Sequence, residues 1–140
     1  NLRRGPVLLL DSEALSALAQ GPPVRRDSVR TLIAALRERG EVPETVAAVL
    51  AEVVRGRRQD AGVFAGMRRE RLRVLPVDTR LAVRAGELLG AVGAGSEMAV
   101  DAFLVAAGAL DPGATLVVTG DPTDVGRLAE HTSDVTVVAI

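Results

Sequence analysis

Apolar positions along the chain form two kinds of run, and together they predict strands alternating with helices. Continuous apolar runs at 7–10 and 114–119 are typical of strands buried on both faces, which occur in parallel sheets covered by helices. Apolar residues at helical spacing, bounded by Gly, Pro or capping residues, predict helices at 12–19, 27–39, 44–56, 60–71, 79–92, 95–110 and 125–130. Shorter strands are expected at 41–43, 72–77 and 135–140. Because no hairpin signal joins two strands, the pattern indicates an α/β fold with a mainly parallel sheet.

Composition excludes several kinds of protein chemistry but does not indicate a binding partner. The 140 residues contain no repeat or linker, so one domain over 1–140 is expected. A formal net charge of -1 does not indicate a strongly basic nucleic-acid coat. The absence of Cys excludes disulfides, thiol catalysis and Cys-based zinc sites, and a cytoplasmic location is expected. The run at 7–10 is too short for a signal-peptide core or a membrane span, so no membrane partner is expected.

Acidic residues follow the two most apolar strands. Asp11 ends the first and Asp121 comes directly after the second. Sites in open α/β sheets form outside the carboxyl ends of strands, so both carboxylates are expected at one edge. Asp101 lies near the start of an otherwise apolar helix, and Glu52 lies among apolar neighbours within another. Periodicity alone does not place these two relative to that edge.

Carboxylates gathered in one cleft repel one another, and this raises the pKa of at least one unless a cation neutralises them. Mg²⁺ or Mn²⁺ favours oxygen ligands and usually keeps several waters, which leaves positions for a phosphate oxygen and a nucleophile. A metal held in this way activates water and stabilises charge on a phosphodiester. The chemistry indicated is metal-dependent phosphoester hydrolysis.

Each of these residues also has a purely structural interpretation. Asp11 could cap the first helix, and Asp121 could cap a later one with Pro122 at its first position and Asp124 in its first turn. Capping and metal binding are not exclusive. Asp101 could be a first-turn acid, with Glu97 four residues earlier on the same face.

The arginines and Glu52 carry the same ambiguity. Glu52 could be an exposed helix residue. Two arginine clusters could form a solvated face or contact RNA phosphates, and they comprise Arg55, Arg57 and Arg58, then Arg68, Arg69, Arg71 and Arg73.

Four segments in order resemble the PIN domains, and within them the VapC-like toxins of bacterial type II toxin–antitoxin systems. They are Val-Leu-Leu-Leu-Asp-Ser-Glu-Ala-Leu at 7–15, Val-Leu-Ala-Glu-Val-Val-Arg-Gly at 49–56, Val-Asp-Ala-Phe-Leu-Val-Ala-Ala at 100–107 and Val-Val-Thr-Gly-Asp-Pro-Thr-Asp-Val at 117–125. The resemblance covers essentially the whole chain. It implies a three-layer α/β/α sandwich, a ribonuclease using Mg²⁺ or Mn²⁺, a homodimer, and inhibition by a cognate antitoxin.

The resemblance also implies roles for individual residues. Asp11, Glu52, Asp101 and Asp121 match the acids of the family's metal site. Asp124 matches a position that is acidic in only some relatives, and Thr119 matches a small hydroxyl residue that orients a carboxylate or water. The sequence departs from the family pattern at Ser12-Glu13, where a small or hydroxyl pair is more usual.

The resulting hypothesis is a metal-dependent endoribonuclease toxin. In it Asp11, Asp101 and Asp121 position the cation, Glu52 supports it or orients water, and nearby arginines hold the RNA backbone.

Two alternatives remain at this point. A signalling receiver domain also gathers acids at strand ends, but it needs a Lys after a late strand, and all 17 basic residues here are Arg. A PIN-like module that has lost catalysis and only binds RNA or protein would keep the fold.

Overall fold

The computed structural model describes residues 6–140, and the strands in this range form one parallel sheet. The strands are β1 Val7–Leu10, β2 Glu44–Val46, β3 Arg73–Leu75, β4 Thr115–Thr119 and β5 Val135–Ala139. Their order is β3-β2-β1-β4-β5, and every neighbouring pair is parallel. The two most apolar strands, β1 and β4, are therefore adjacent and interior, as their apolar runs predict.

Helices connect the strands and cover both faces of the sheet. They are α1 Ser12–Gln20, α2 Pro23–Arg37, α3 Ala47–Val53, α4 Asp60–Glu70, α5 Thr79–Val92, α6 Ala99–Leu110 and α7 Pro122–Ala129. A single turn of 3-10 helix, Ser96–Met98, precedes α6. Of the predicted helices, that at 79–92 has the observed bounds.

Alternate side chains of β1 enter two different cores. Leu8 and Leu10 pack with α1 and α2, whereas Val7 and Leu9 pack with α5, α6 and α7. All four are at most 3% exposed, and full burial of each such side chain stabilises the fold by roughly 1.5–3 kcal/mol. This arrangement confirms the predicted α/β/α sandwich.

Two predicted boundaries near the middle of the chain are wrong. The helix expected from residue 27, capped by Asp27 or Ser28, begins instead at Pro23, because the missing N–H of proline costs nothing in a first helical turn. The strand expected at 41–43 lies at Glu44–Val46, the segment expected to begin a helix. Pairing with β1 and β3 overrides the helical pattern there, and Arg73 neutralises the buried Glu44 at 3.0 Å.

Two later elements also differ in their starts. The helix expected at 125–130 begins at Pro122, since the side chain of Asp121 caps it. The helix expected over 95–110 is continuous only from Ala99. Among residues 6–140 no single helix has the length and apolarity to cross a membrane; only α5 with the segment Ser96–Leu110, bent from it by 120°, passes that test as a pair.

Candidate active site

Asp11 lies at the carboxyl end of β1 and is held there by hydrogen bonds. Its Oδ1 accepts from the Ala14 amide at 2.8 Å, which caps α1, and its Oδ2 accepts from the Gly120 amide at 3.2 Å. The side chain is only 5% exposed. Burial raises its pKa, although the hydrogen bonds oppose that effect and the charge of Glu13 adds to it. Asp11 thus caps α1 and also contacts the residue that follows β4.

Thr119, the last residue of β4, links Asp11 to Asp121. Its side chain is hydrogen-bonded to the Asp11 carboxylate, and its Oγ1 accepts from the Asp121 amide at 2.8 Å. The hydroxyl is fully buried. Since Leu10 pairs with Val118 in the parallel register, Asp11 and Thr119 are the next residues of the two strands. Thr119 therefore connects the two acids that follow β1 and β4, and its predicted supporting role stays a prediction.

Asp121 continues from this link into α7. Its Oδ1 accepts from the Asp124 amide at 3.3 Å, and Pro122 occupies the first helical position. The capping interpretation is confirmed for Asp121 as for Asp11. The cap of Asp121 uses one of its oxygens, whereas both oxygens of Asp11 accept amide hydrogen bonds. Both carboxylates nevertheless lie where β1 and β4 end.

Asp101 lies in the first turn of α6, and its setting opposes ionisation. Burial and the charges of Asp11, Glu52, Asp121 and Asp124, in that order, raise its pKa to about 6. Within residues 6–140 its side chain makes no hydrogen bond, and α6 has no side-chain cap. The charges of the four other acids therefore all act on Asp101 and disfavour its ionised form.

Two expectations about neighbouring acids need correction. Glu52 is exposed near the end of α3, not crowded by apolar side chains, although its charge still acts on Asp101. Glu97 is exposed as well, and its Oε1 accepts from the Gly95 amide at 2.9 Å, which lowers its pKa. Glu97 thus lies within the 3-10 turn and bonds back to its start, and its predicted supporting role gains no contact with the other acids.

The carboxylate oxygens of these acids are suitable ligands for a hard cation, although they do not form a preformed metal site within residues 6–140. Within the described range no three acidic or histidine side chains are close enough to form a metal cluster. The available donors are carboxylate oxygens, and their repulsion is the electrostatic cost that a divalent cation removes. Mg²⁺ keeps several waters, so one or two direct carboxylate bonds suffice. Asp11, Asp101 and Asp121 are the residues that could hold it.

An ion pair that the sequence pattern does not predict lies beside Asp11 and Gly120. Arg25 on α2 contacts the Glu13 carboxylate at 3.2 Å, and each side chain is about two-fifths exposed. Glu13 lies directly over Gly120, where a Cβ atom would collide with its carboxylate. The sequence pattern predicts a site role for neither Gly120 nor Arg25. Their proximity depends on how α2 folds back on α1, which periodicity does not show.

The arginines that follow Glu52 divide into two kinds. Arg55 donates to the carbonyls of Ala51 and Val54 at 2.6 and 2.9 Å, so its guanidinium closes the end of α3. Arg57 and Arg58 are exposed.

The second arginine cluster is partly structural. Arg69 donates to Leu18 and contacts the buried Glu70, and Arg73 contacts Glu44.

Comparison with known proteins identifies the family and the fold of the chain. No curated protein sequence gives a significant match. A chain in the crystal structure of VapBC2 from Rickettsia felis, bound to a DNA fragment from their promoter, matches with a TM-score of 0.65 at 12% identity. The match covers 96% of this chain and 98% of that chain, and it confirms the fold. The family model of the PIN domain matches residues 8–129. The chain therefore belongs to the PIN domain family.

Proposed function

We propose that this protein is a metal-dependent endoribonuclease and the toxin of a bacterial type II toxin–antitoxin system. The observation that carries the proposal is the joining of Asp11, Thr119 and Asp121 at the edge where β1 and β4 end side by side. Asp101 acts on the same edge from α6. PIN domains are typically nucleases, and membership in the family sets aside the receiver-like alternative.

In this proposal Asp11, Asp101 and Asp121 hold Mg²⁺ or Mn²⁺, with Asp124 as a further acid. PIN nucleases generally use divalent metals, and the cation would supply a water nucleophile and stabilise charge on the phosphodiester. The amides of Ala14 and Gly120 fix both oxygens of Asp11 in direction. Exposed Glu52 would support the cation or orient the attacking water, because its carboxylate is free of the hydrogen bonds that occupy Asp11.

RNA is the substrate that the surrounding charges suit. Arg57 and Arg58 follow α3 beyond Glu52 and are exposed, so they contact the phosphate backbone in this proposal. The guanidinium of Arg55 is engaged with backbone carbonyls, and its part is to hold that loop.

The partners in this proposal are a cognate antitoxin and a second copy of the chain. Support comes from the resemblance of the four segments and from the VapBC2 structure, in which the matched chain belongs to a toxin–antitoxin assembly on DNA.

A second candidate is a PIN module that binds RNA or protein without cleaving it. The absence of a close three-carboxylate cluster within residues 6–140 favours this alternative. The same experiment separates the two functions.

The test is RNA cleavage by purified protein with Mg²⁺ or Mn²⁺, with EDTA, and by Asp101→Asn. We expect cleavage only with metal and a loss of at least about a hundredfold in Asp101→Asn, in line with losses from removing one group that stabilises transition-state charge. Full activity in EDTA or in the variant contradicts the mechanism. RNA binding without cleavage under every metal condition supports the silent module. Sequencing RNA ends after controlled expression in cells then identifies the target.

A further inference from the structure

A small polar cavity lies at the end of α3, directly after Glu52. Its volume is about 220 Å³. Gln20, Arg57, Gln59 and Asp60 supply polar lining, and Val53 and Val63 supply apolar lining. Pockets for drug-sized ligands start at roughly 300 Å³, so the cavity has room only for a smaller group. Val53 follows Glu52 in α3, and the charge of Glu52 acts on Asp101, so the cavity lies at the end of the helix that carries one of the proposed acids.

The loop that forms one wall is shaped without any ligand. The Asp60 carboxylate accepts from three consecutive amides, those of Arg55, Gly56 and Arg57, at 3.1, 2.7 and 3.1 Å. These bonds hold the pKa of Asp60 below its usual range. Gly56 adopts φ of 73°, a conformation that glycine allows at no steric cost. The amides of Arg55, Gly56 and Arg57 are therefore not available to a ligand, whereas the side chains that line the cavity are.

Three side chains in the cavity are free to recognise a ligand. Within residues 6–140, the side chains of Gln20, Gln59 and Arg57 make no hydrogen bond. Each amide offers a donor and an acceptor, and the guanidinium offers donors and a positive charge. Gln20 and Gln59 are also the only two glutamines of the chain. A site for phosphate alone needs cations, whereas paired amides match the edge of a heterocyclic base.

We propose that this cavity is a subsite for one nucleobase of the RNA, next to the cleaved phosphodiester. This inference rests on the proposed function and adds a determinant of its sequence preference. Gln20 and Gln59 hydrogen-bond the base edge, and Arg57 contacts the adjoining phosphate. Asp60 is a positioning residue that acts through the loop.

The experiment uses a randomised single-stranded oligoribonucleotide library. The library is cleaved with Mg²⁺ and the ends are sequenced; a second portion is selected for binding in EDTA and sequenced. The variants are Gln20→Ala, Gln59→Ala and Asp60→Asn. The control is Arg39→Ala, which removes an exposed charge beside Pro6 and Leu8, at the opposite edge of the sheet.

We expect the parent to prefer particular bases at one position beside the cut. Each glutamine variant should reduce that preference about tenfold and leave preferences elsewhere unchanged, as expected for one lost contact to a base edge. Asp60→Asn should weaken the same preference while the fold, followed by circular dichroism, stays intact. Arg39→Ala should match the parent.

The outcomes separate this inference from the proposed function. Cleavage with unchanged preferences in both glutamine variants, or with no preference in the parent, overturns the subsite and leaves the nuclease. Enrichment of one base in the EDTA selection that both glutamine variants lose supports the subsite even without cleavage. Neither binding nor cleavage of the library by the parent overturns both.

Discussion

The carboxylate of Asp101 is half-hidden in α6, where burial and four other acids oppose its ionisation. Its pKa of about 6 lies above the value near 3.8 expected in the unfolded chain. Between these two values the folded protein binds more protons than the unfolded chain, so stability falls as pH rises. The destabilisation is absent below about pH 3.8 and complete above about pH 6.

The resulting prediction concerns metal-free protein in EDTA. The free energy of unfolding should fall between about pH 4 and pH 6.5, with about 1–2 kcal/mol of the fall due to Asp101, because partial solvent exposure screens its interactions. Asp101→Asn should lose that part and have a higher Tm than the parent at pH 7. Urea unfolding at several pH values measures the free energy of unfolding, and thermal unfolding at pH 7 measures the Tm. A difference between variant and parent that does not change with pH contradicts the pKa assignment.

The two ends of β4 offer a matched pair of buried hydroxyls. Thr119 links two acids at the carboxyl end, whereas Thr115 donates to the Gly108 carbonyl at 3.3 Å at the amino end. Thr119→Val should destabilise the protein by about 1–3 kcal/mol, because it leaves the Asp121 amide without its acceptor. It should also raise the pKa of Asp11, since the Thr119 hydrogen bond lowers it.

Thr115→Val is the control, because it removes a buried hydroxyl from the same strand. We expect Thr115→Val to lower stability but to leave RNA cleavage and its metal dependence unchanged. Thr119→Val should reduce the rate of RNA cleavage and change its metal dependence. Equal losses of activity in the two variants, measured well below their Tm, would show that the link at Thr119 has only a structural role.

The packing of α6 on the sheet depends on the missing side chain of Gly108. A Cβ atom there would lie 2.9 Å from Thr115 Cγ2 and 3.3 Å from Val135 Cγ2. Gly108→Ala should therefore destabilise by about 1–3 kcal/mol despite alanine's better helix propensity. Thr115→Ser removes the closest methyl group, so it should recover part of the loss in the double variant. Thermal unfolding of the four proteins tests this, and additive effects would contradict the proposed contact.

The elements that the sequence predicted well are those whose own pattern decides their structure. Residues 79–92 have a clean apolar face between the Asp78 cap and Gly93, and the helix has those bounds. β2 was misplaced because its strand conformation depends on pairing with β1 and β3. A buried glutamate at the start of a strand is unfavourable by itself, and the contact of Arg73 with Glu44 offsets that cost.

The candidate site shows the same division. Asp11 and Asp121 were placed by the rule that sites form where parallel strands end. The exposure of Glu52, the local role of Glu97 and the pairing of Glu13 with Arg25 all depend on how separate helices approach one another. No spacing along the chain encodes those approaches.

On the scale of the whole molecule, the net charge of -1 gives no general attraction for RNA. Binding must then arise from the local placement of cations, and Arg57 and Arg58 lie in the loop that follows Glu52. Each phosphate contact made to a single strand contributes about 0.7 to the slope of log affinity against log salt concentration. The loop should therefore account for most of that slope.

The prediction is that Arg57→Ala and Arg58→Ala each reduce the salt slope by about 0.7, while Arg39→Ala leaves it unchanged. Fluorescence anisotropy of a labelled single-stranded oligoribonucleotide, titrated in EDTA over a range of salt concentrations, measures the slope without cleavage. All three variants remove one exposed arginine, so a nonspecific charge effect would lower the three slopes equally. A contact between RNA and the loop after Glu52 would lower the slope for Arg57→Ala and Arg58→Ala but not for Arg39→Ala. Arg39 lies beside Pro6 and Leu8, at the amino end of β1, away from that loop.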